Sequence, residues 1–293
     1  MSTSPFRGWH SRPMTWEFTS DVARFVTQVR PSLGEDPVAN TVLLTLIEDL
    51  RRGGRWSAES MLFGWYRDAA AISGAIIMTR PQELVLTAMP SEAVLELAGA
   101  LLSRDIPITE VNGDAATVDA FAATWTRDAP ARAVVSMRHR LYRLATLHAP
   151  SVPAGSVRSA VQQDRPWLVV WFTRFVQEAG LAVADVRPWV GDQVDEGRLR
   201  LWQDGAGAPV SLAGRHRTAA GVARIGPVFT PIQQRRHGYG TAVTVACVRD
   251  ALRRGAEQVV LFADLANPTS IALYQQIGFL PLSDYSFVEF IPR

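Results

Sequence analysis

The sequence predicts an α/β (α+β) fold in which one plan is repeated twice, each copy a mixed, mostly antiparallel sheet flanked by helices. Three observations carry that expectation. The chain has 293 residues, enough for one large domain or two of ordinary size. Strand-like alternation and helix-like periodicity follow one another in nearly the same order in both halves. Between the halves lies His148 to Val157, HAPSVPAGSV, with two prolines, a glycine and small residues. The expected division is therefore 1–147, a linker at 148–156, and 157–293.

The first half opens with two helical patterns, Thr19 to Val29 and Val38 to Arg52, the second closed by Gly53 and Gly54. Strand-like runs follow at Met61 to Tyr66, Ala71 to Thr79 and Leu84 to Met89. A helix from Ser91 to Leu102 carries Glu92 in its first turn, where a carboxylate complements the helix dipole. A strand at Ile106 to Val111, a helix from Asp114 to Trp125 and a strand from Arg132 to Tyr142 complete the half.

In the second half Asp164 is placed to cap a helix that has Pro166 in its first turn, runs to Ala179 and stops at Gly180. Strands are expected at Arg198 to Trp202, Val210 to Gly214 and Gly221 to Phe229. A helix from Gly238 to Arg254, a strand at Val259 to Ala263 and a helix from Pro268 to Ile277 follow. Closing strands fall at Phe279 to Leu282 and Ser286 to Ile291.

Composition narrows the function classes. With 47% hydrophobic and 20% charged residues the chain reads as globular. Its longest apolar stretches, such as Leu168 to Phe172, are too short to span a bilayer, and the start of the sequence lacks the apolar core of a secretory signal. A cytoplasmic protein without a membrane partner is expected. A single cysteine, Cys247, and five scattered histidines offer no metal-ligand spacing, so no metal is expected. Cys247 sits mid-helix among Val245, Ala246 and Val248, a packing position. All 30 basic residues are arginine, mostly a coding signature, and the net charge of +2 tolerates an anionic ligand without requiring nucleic acid.

The segment that carries chemistry is Arg224 to Thr241, RIGPVFTPIQQRRHGYGT. A strand ends at Val228, Phe229 and Thr230, Pro231 breaks the ladder, and Arg235, Arg236, His237, Gly238, Tyr239 and Gly240 lead straight into a helix. Glycines admit close approach to the backbone, and the first helical N–H groups with the dipole favour an anion. No Lys-Ser/Thr pair of a P-loop is present, nor a G-x-G-x-x-G running from strand to helix. Further on, Asn267 is placed as an N-cap with Pro268 as first helical residue, and Tyr274 returns to nearly the same face two turns later.

These motifs resemble the GNAT superfamily, the GCN5-related N-acetyltransferases. Arg235-x-x-Gly238-x-Gly240 matches the family's diphosphate loop, and Asn267-Pro268-Thr269-Ser270 with Tyr274, Gly278 and Phe279 matches its second cofactor motif. The match covers residues 157 to 290 and is closest to the two-domain bacterial branch, in which the first half is a degenerate GNAT-like domain. The resemblance implies acetyl-CoA as acyl donor and a primary amine, on a small molecule or a peptide, as acceptor, joined by direct attack in a ternary complex. It implies that Val228, Phe229 and Thr230 pair with the pantetheine arm and that the loop from Arg235 through Thr241 holds the diphosphate. Asn267 contacts the cofactor arm, and Tyr274 is the acid to the departing sulfur.

The strand before the loop lacks the glutamate that many members use as base, which leaves Asp264, Glu289 or a water chain. Trp167, Trp171 and Phe175 recur at four-residue spacing, a core stripe that in this family borders the acceptor site. At the equivalent loop the first half has Ala88 to Glu92 with no glycine pair, and Asn112 is followed seven residues on by Asp119, so one CoA site per chain is expected. Two other readings keep the fold: a transferase using aminoacyl-tRNA as donor, and a non-catalytic acyl-CoA sensor. A monomer or homodimer is expected.

Overall fold

The computed structural model describes residues 15–52, 61–68, 71–79, 83–181 and 183–293. Gly53 and Gly54, expected to close the second helix, lie outside the described residues. The chain divides into two compact units, one of residues 1–35, 58–136 and 287–293, the other of 36–57 and 137–286. Two long strands each contribute to both units, and residues 36–57 join the second. The proline-rich 148–156 belongs to the second unit, where Pro153 packs beside Gly238.

The first unit contains β1 (Thr15–Thr19), α1 (Val22–Glu35), β2 (Leu62–Asp68), β3 (Ala71–Thr79), β4 (Glu83–Leu86), α3 (Ser91–Leu102), β5 (Glu110–Asp114) and α4 (Ala115–Asp128). Its strands run in order β1-β2-β3-β4-β5, antiparallel except for the parallel pair β4 and β5. β1 was not expected; the predicted helix at Thr19 begins at Val22 because Asp21 Oδ1 accepts from the N–H groups of Ala23 and Arg24 and caps it there. Asp114 caps α4 by accepting from Thr117 N at 3.0 Å, as its position predicts. Leu84, Leu86, Leu97, Val118 and Phe121 form the core under α3 and α4.

The second unit takes α2 (Thr41–Arg51) from early in the chain, then β7 (Ser156–Ser159), α5 (Arg165–Glu178), α6 (Arg187–Asp195), β8 (Leu199–Gln203), β9 (Pro209–Arg215), β10 (Val222–Phe229), α7 (Tyr239–Arg253), β11 (Gln258–Asp264) and α8 (Pro268–Gln276). It also contains most of β6 (Ala131–Leu144) and the first part of β12 (Phe279–Pro292). β12 is one continuous strand where two were expected, while β7 and α6 were not anticipated. The order is β12-β6-β11-β10-β9-β8-β7, with β10 and β11 parallel. Asp164 stands at the N-cap of α5, but its carboxylate accepts from Val161 N and from Arg158 at 2.6 and 2.8 Å rather than from the helix.

Alternation along β10 and β11 separates two faces. Ala223, Ile225, Leu261 and Ala263 point to the core under α7, whereas Val222, Val260 and Leu141 pack with Val38 on the other side. Cys247 is buried in the α7 core, where burial pushes its thiol up to about 12, so it is a packing residue.

Candidate functional site

The site begins where two parallel strands part. β10 pairs with β11 from Val222 through Ile225, opposite Gln258 through Leu261, and no further. Pro227 has no N–H to give to a ladder, and the register against β9 shifts between Ile225 and Val228. Val228 and Phe229 stay paired to β9, opposite Ala213 and Leu212, while Phe262 to Asp264 stay paired to β6. Between them the facing edges are left open, a place where an extended ligand can add to a sheet.

The loop after β10 delivers the second element of the site. A 3₁₀ turn at Ile232–Gln234 leads to Arg236 at φ 66° and Gly238 at φ 78°, and α7 starts immediately after. A Cβ on Gly238 would meet nothing closer than Pro153 at 3.8 Å, so the left-handed backbone, not space, calls for glycine. Ala242 makes the first helical bond, to Gly238 O at 3.0 Å. Upstream of it, the N–H groups of Arg236, His237, Gly238, Tyr239, Gly240 and Thr241 have no acceptor among the described residues. Six consecutive free donors at the positive end of a helix fit a diphosphate. A cavity of about 250 Å³ starts at Thr241 and follows α7 past Trp202 and Val245 to Arg249 and Arg253.

Thr230 and α8 flank this loop. Thr230 Oγ1 lies 2.8 Å from Ser211 Oγ, and a Cβ on Gly240 would come 3.3 Å from Thr230 Oγ1 and 3.6 Å from Leu273 Cδ1. The end of β10, the head of α7 and α8 thus meet at Gly240. Asn267 caps α8, its Oδ1 accepting from Ser270 N at 3.0 Å, and Tyr274 is 8% exposed and set edge-on to Phe279 at 6.3 Å. The Tyr274 hydroxyl has no hydrogen-bond partner among the described residues, and burial pushes the phenol up to about 12.

Other residues singled out in the sequence are placed differently. Arg235 is committed within the protein, with Nε donating to Thr230 O at 2.9 Å and its Nη2 paired to Glu178. It therefore braces the loop, and Arg236 is the neighbouring guanidinium without an ion pair. His237 is exposed and stacks on Tyr239 with centroids 5.6 Å apart. The core stripe of α5 is Leu168, Phe172 and Val176. Trp167, Trp171 and Phe175 are half-buried beside it, with Trp171 edge-on to Phe229 at 5.9 Å. Glu289 lies in the first unit, where burial, then the charges of Glu83 and Glu289, raise Glu110 to about 7.

Asp264 has a partner that the sequence did not suggest. In the β6/β11 pair it stands directly opposite His139. The His139 ring is 6.3 Å from Phe262, which is 5.1 Å from Tyr285 and 6.0 Å from the guanidinium carbon of Arg224. These half-buried side chains form one patch on the face away from α7, beside the open edges. Burial lowers the His139 pKa from its ordinary value, and the Asp264 charge partly restores it. No local signal marks His139: it is an ordinary alternating residue of a strand from the middle of the sequence.

The first unit lacks this arrangement. Its parallel pair stays closed to the end, with Gly113 opposite Leu86, and a Cβ on Gly113 would come 2.2 Å from the Leu86 carbonyl oxygen. Its α3 begins after Pro90, which has no N–H, and carries Glu92 in the first turn. Among the described residues no group of three or more His, Cys, Asp or Glu could hold a metal ion, and no helix is long and apolar enough to cross a membrane.

A parallel pair that parts ahead of a glycine-headed helix defines the GNAT class of fold. The FR47-like protein family model matches residues 207–288, which span the open edges, the loop and α8. In fold the chain resembles the GNAT superfamily. Among curated proteins it is similar to the mycothiol acetyltransferase of Salinispora tropica, 29% identical over 50% of this chain and 52% of that protein. The chain spans about half the length of the curated relatives it matches. In fold it is similar to a tandem GNAT protein from the clavulanic acid biosynthesis pathway, with TM-score 0.62, 18% identity and coverage of 94% of this chain and 98% of that one. A GCN5-related N-acetyltransferase from Sphaerobacter thermophilus has TM-score 0.61 at 16% identity, covering 99% and 98%.

Proposed function

We propose that the second unit is an acyl-CoA-dependent N-acyltransferase, most simply using acetyl-CoA, that transfers the acyl group to a primary amine by direct attack. One observation carries this reading: the open edge of β10 leads into six acceptor-free N–H groups at the head of α7. The first suits the amide-bearing arm of CoA and the second its diphosphate. The cavity along α7 leaves room for the nucleotide end. The matched GNAT relatives named as acetyltransferases point the same way.

Within this reading, the N–H run from Arg236 to Thr241 holds the diphosphate, and Val228 to Thr230 align the thioester. The acceptor nitrogen attacks the thioester carbon, the C–S bond breaks, and the nitrogen gives up a proton. His139, kept neutral by burial and facing Asp264 across the strand pair, takes that proton directly or through water. Tyr274 serves the departing sulfur. With the phenol near 12 and a thiol near ~8.5, complete transfer of its proton is uphill by about 5 kcal/mol. Tyr274 therefore acts by donating a hydrogen bond as charge builds on sulfur, and solvent completes the protonation.

The test is calorimetric titration with acetyl-CoA together with thiol release over a panel of amines. Micromolar binding and amine-dependent release support the reading; failure to bind acetyl-CoA overturns it. Binding without release for any amine would identify a sensor instead.

A further inference from the structure

Among the described residues of the second unit, Arg224 is a half-buried arginine with no ion pair. Arg198 and Arg217 pair with Glu196, and Arg200 and Arg215 pair with Asp250. The Arg224 guanidinium makes no ion pair or hydrogen bond with any described residue, and its Nε is cut off from water. Its contact is with the ring of Phe262, and the nearby carboxylate of Asp49 is already held by Arg217. A half-buried charge without an ion pair is costly, and burial lowers this one to about 10, partly offset by Tyr285 and Asp49.

Its position makes that cost informative. Arg224 pairs opposite Val260, one residue before the last paired position of β10, and its side chain lies on the face away from α7. It shares the ring of Phe262 with His139, the proposed base. The surrounding patch therefore combines aromatic walls, a proton acceptor and an uncompensated cation beside the open edge.

We infer that the acceptor is an amine carrying an anionic group, a carboxylate or a phosphate, and that Arg224 holds that group while the amine reaches the thioester. This rests on the acyltransfer reading for its chemistry, but the binding it requires does not depend on turnover. Guanidinium matches both anions in a planar, two-toothed geometry.

The experiment compares matched probes on the full chain: ω-amino carboxylates of graded length against n-alkylamines of equal length, and phosphoethanolamine against ethanolamine. Binding is followed by calorimetry with and without CoA, and thiol release is followed with acetyl-CoA. The expected result is at least tenfold tighter binding and higher kcat/KM for the anionic member of at least one pair. That preference falls to near one in Arg224→Gln and is partly kept in Arg224→Lys, with acetyl-CoA affinity within about twofold in both. The pair that shows the preference tells carboxylate from phosphate. Equal binding of anionic and neutral probes by the wild-type chain, or a preference untouched in Arg224→Gln, overturns the inference. Anion-selective binding without thiol release would sustain it while removing the acyltransfer reading. Thiol release that favours neutral amines would do the reverse.

Discussion

Replacing Tyr274 by Phe separates stability from catalysis. The ring is 8% exposed and keeps its edge-on contact with Phe279 in the variant, so packing is unchanged. The lost hydroxyl has no partner among the described residues. Removing a hydroxyl that makes no hydrogen bond within the protein breaks no native contact, so Tyr274→Phe should leave stability within about 0.5 kcal/mol of wild type. Catalysis should fall. Loss of one donor aimed at developing charge lowers kcat by about 10²- to 10³-fold, while the Kd for acetyl-CoA stays near wild type because diphosphate binding lies at α7. Urea unfolding, calorimetry and thiol-release kinetics measure the three quantities. With the phenol near 12, the variant should also leave the pH–rate profile unchanged in shape between pH 6 and about 9. A Tyr274→Phe variant with wild-type kcat, or one that loses several kcal/mol of stability, would refute this assignment.

Other outcomes follow from the same geometry. Gly238→Ala places a side chain at φ 78°, so urea unfolding should show a loss of about 1–2 kcal/mol, with weaker acetyl-CoA binding as the N–H run is turned away. His139→Gln should lower kcat/KM by about 10²-fold and abolish the acidic limb of its pH profile. Because burial depresses the His139 pKa, its contribution to stability is full above the unfolded value near ~6.5 and lost as pH falls through the lower folded value. Unfolding midpoints of wild type and His139→Gln should therefore converge on acidification. Asp250→Ala leaves Arg200 and Arg215 buried without their carboxylate and should cost about 3–5 kcal/mol by urea unfolding, far more than Arg235→Gln, whose pair with Glu178 is exposed.

Much of the local structure was legible. Helices start at Asp114, Gly238 and Asn267 as expected, because each start depends on the backbone of its own few residues. Glu92 and the missing glycine pair likewise marked the first unit's helix as a poor anion site. The same local signals misled at Asp164, whose carboxylate goes to Arg158 instead of the helix. There the right residue type stood at the right spacing, and an arginine six residues back took the side chain.

By itself the sequence determined the α/β plan, the order of most elements, and a glycine-headed loop followed by an Asn–Tyr helix, since periodicity, caps and glycine turns are written over short stretches of chain. Tertiary structure alone decided which strands complete each unit, that β10 and β11 part after Ile225 while β4 and β5 do not, and that His139 faces Asp264 beside an unpaired Arg224. Those features depend on strand pairing between distant segments and on where charges end up desolvated. Neither quantity exists until the sheet has formed.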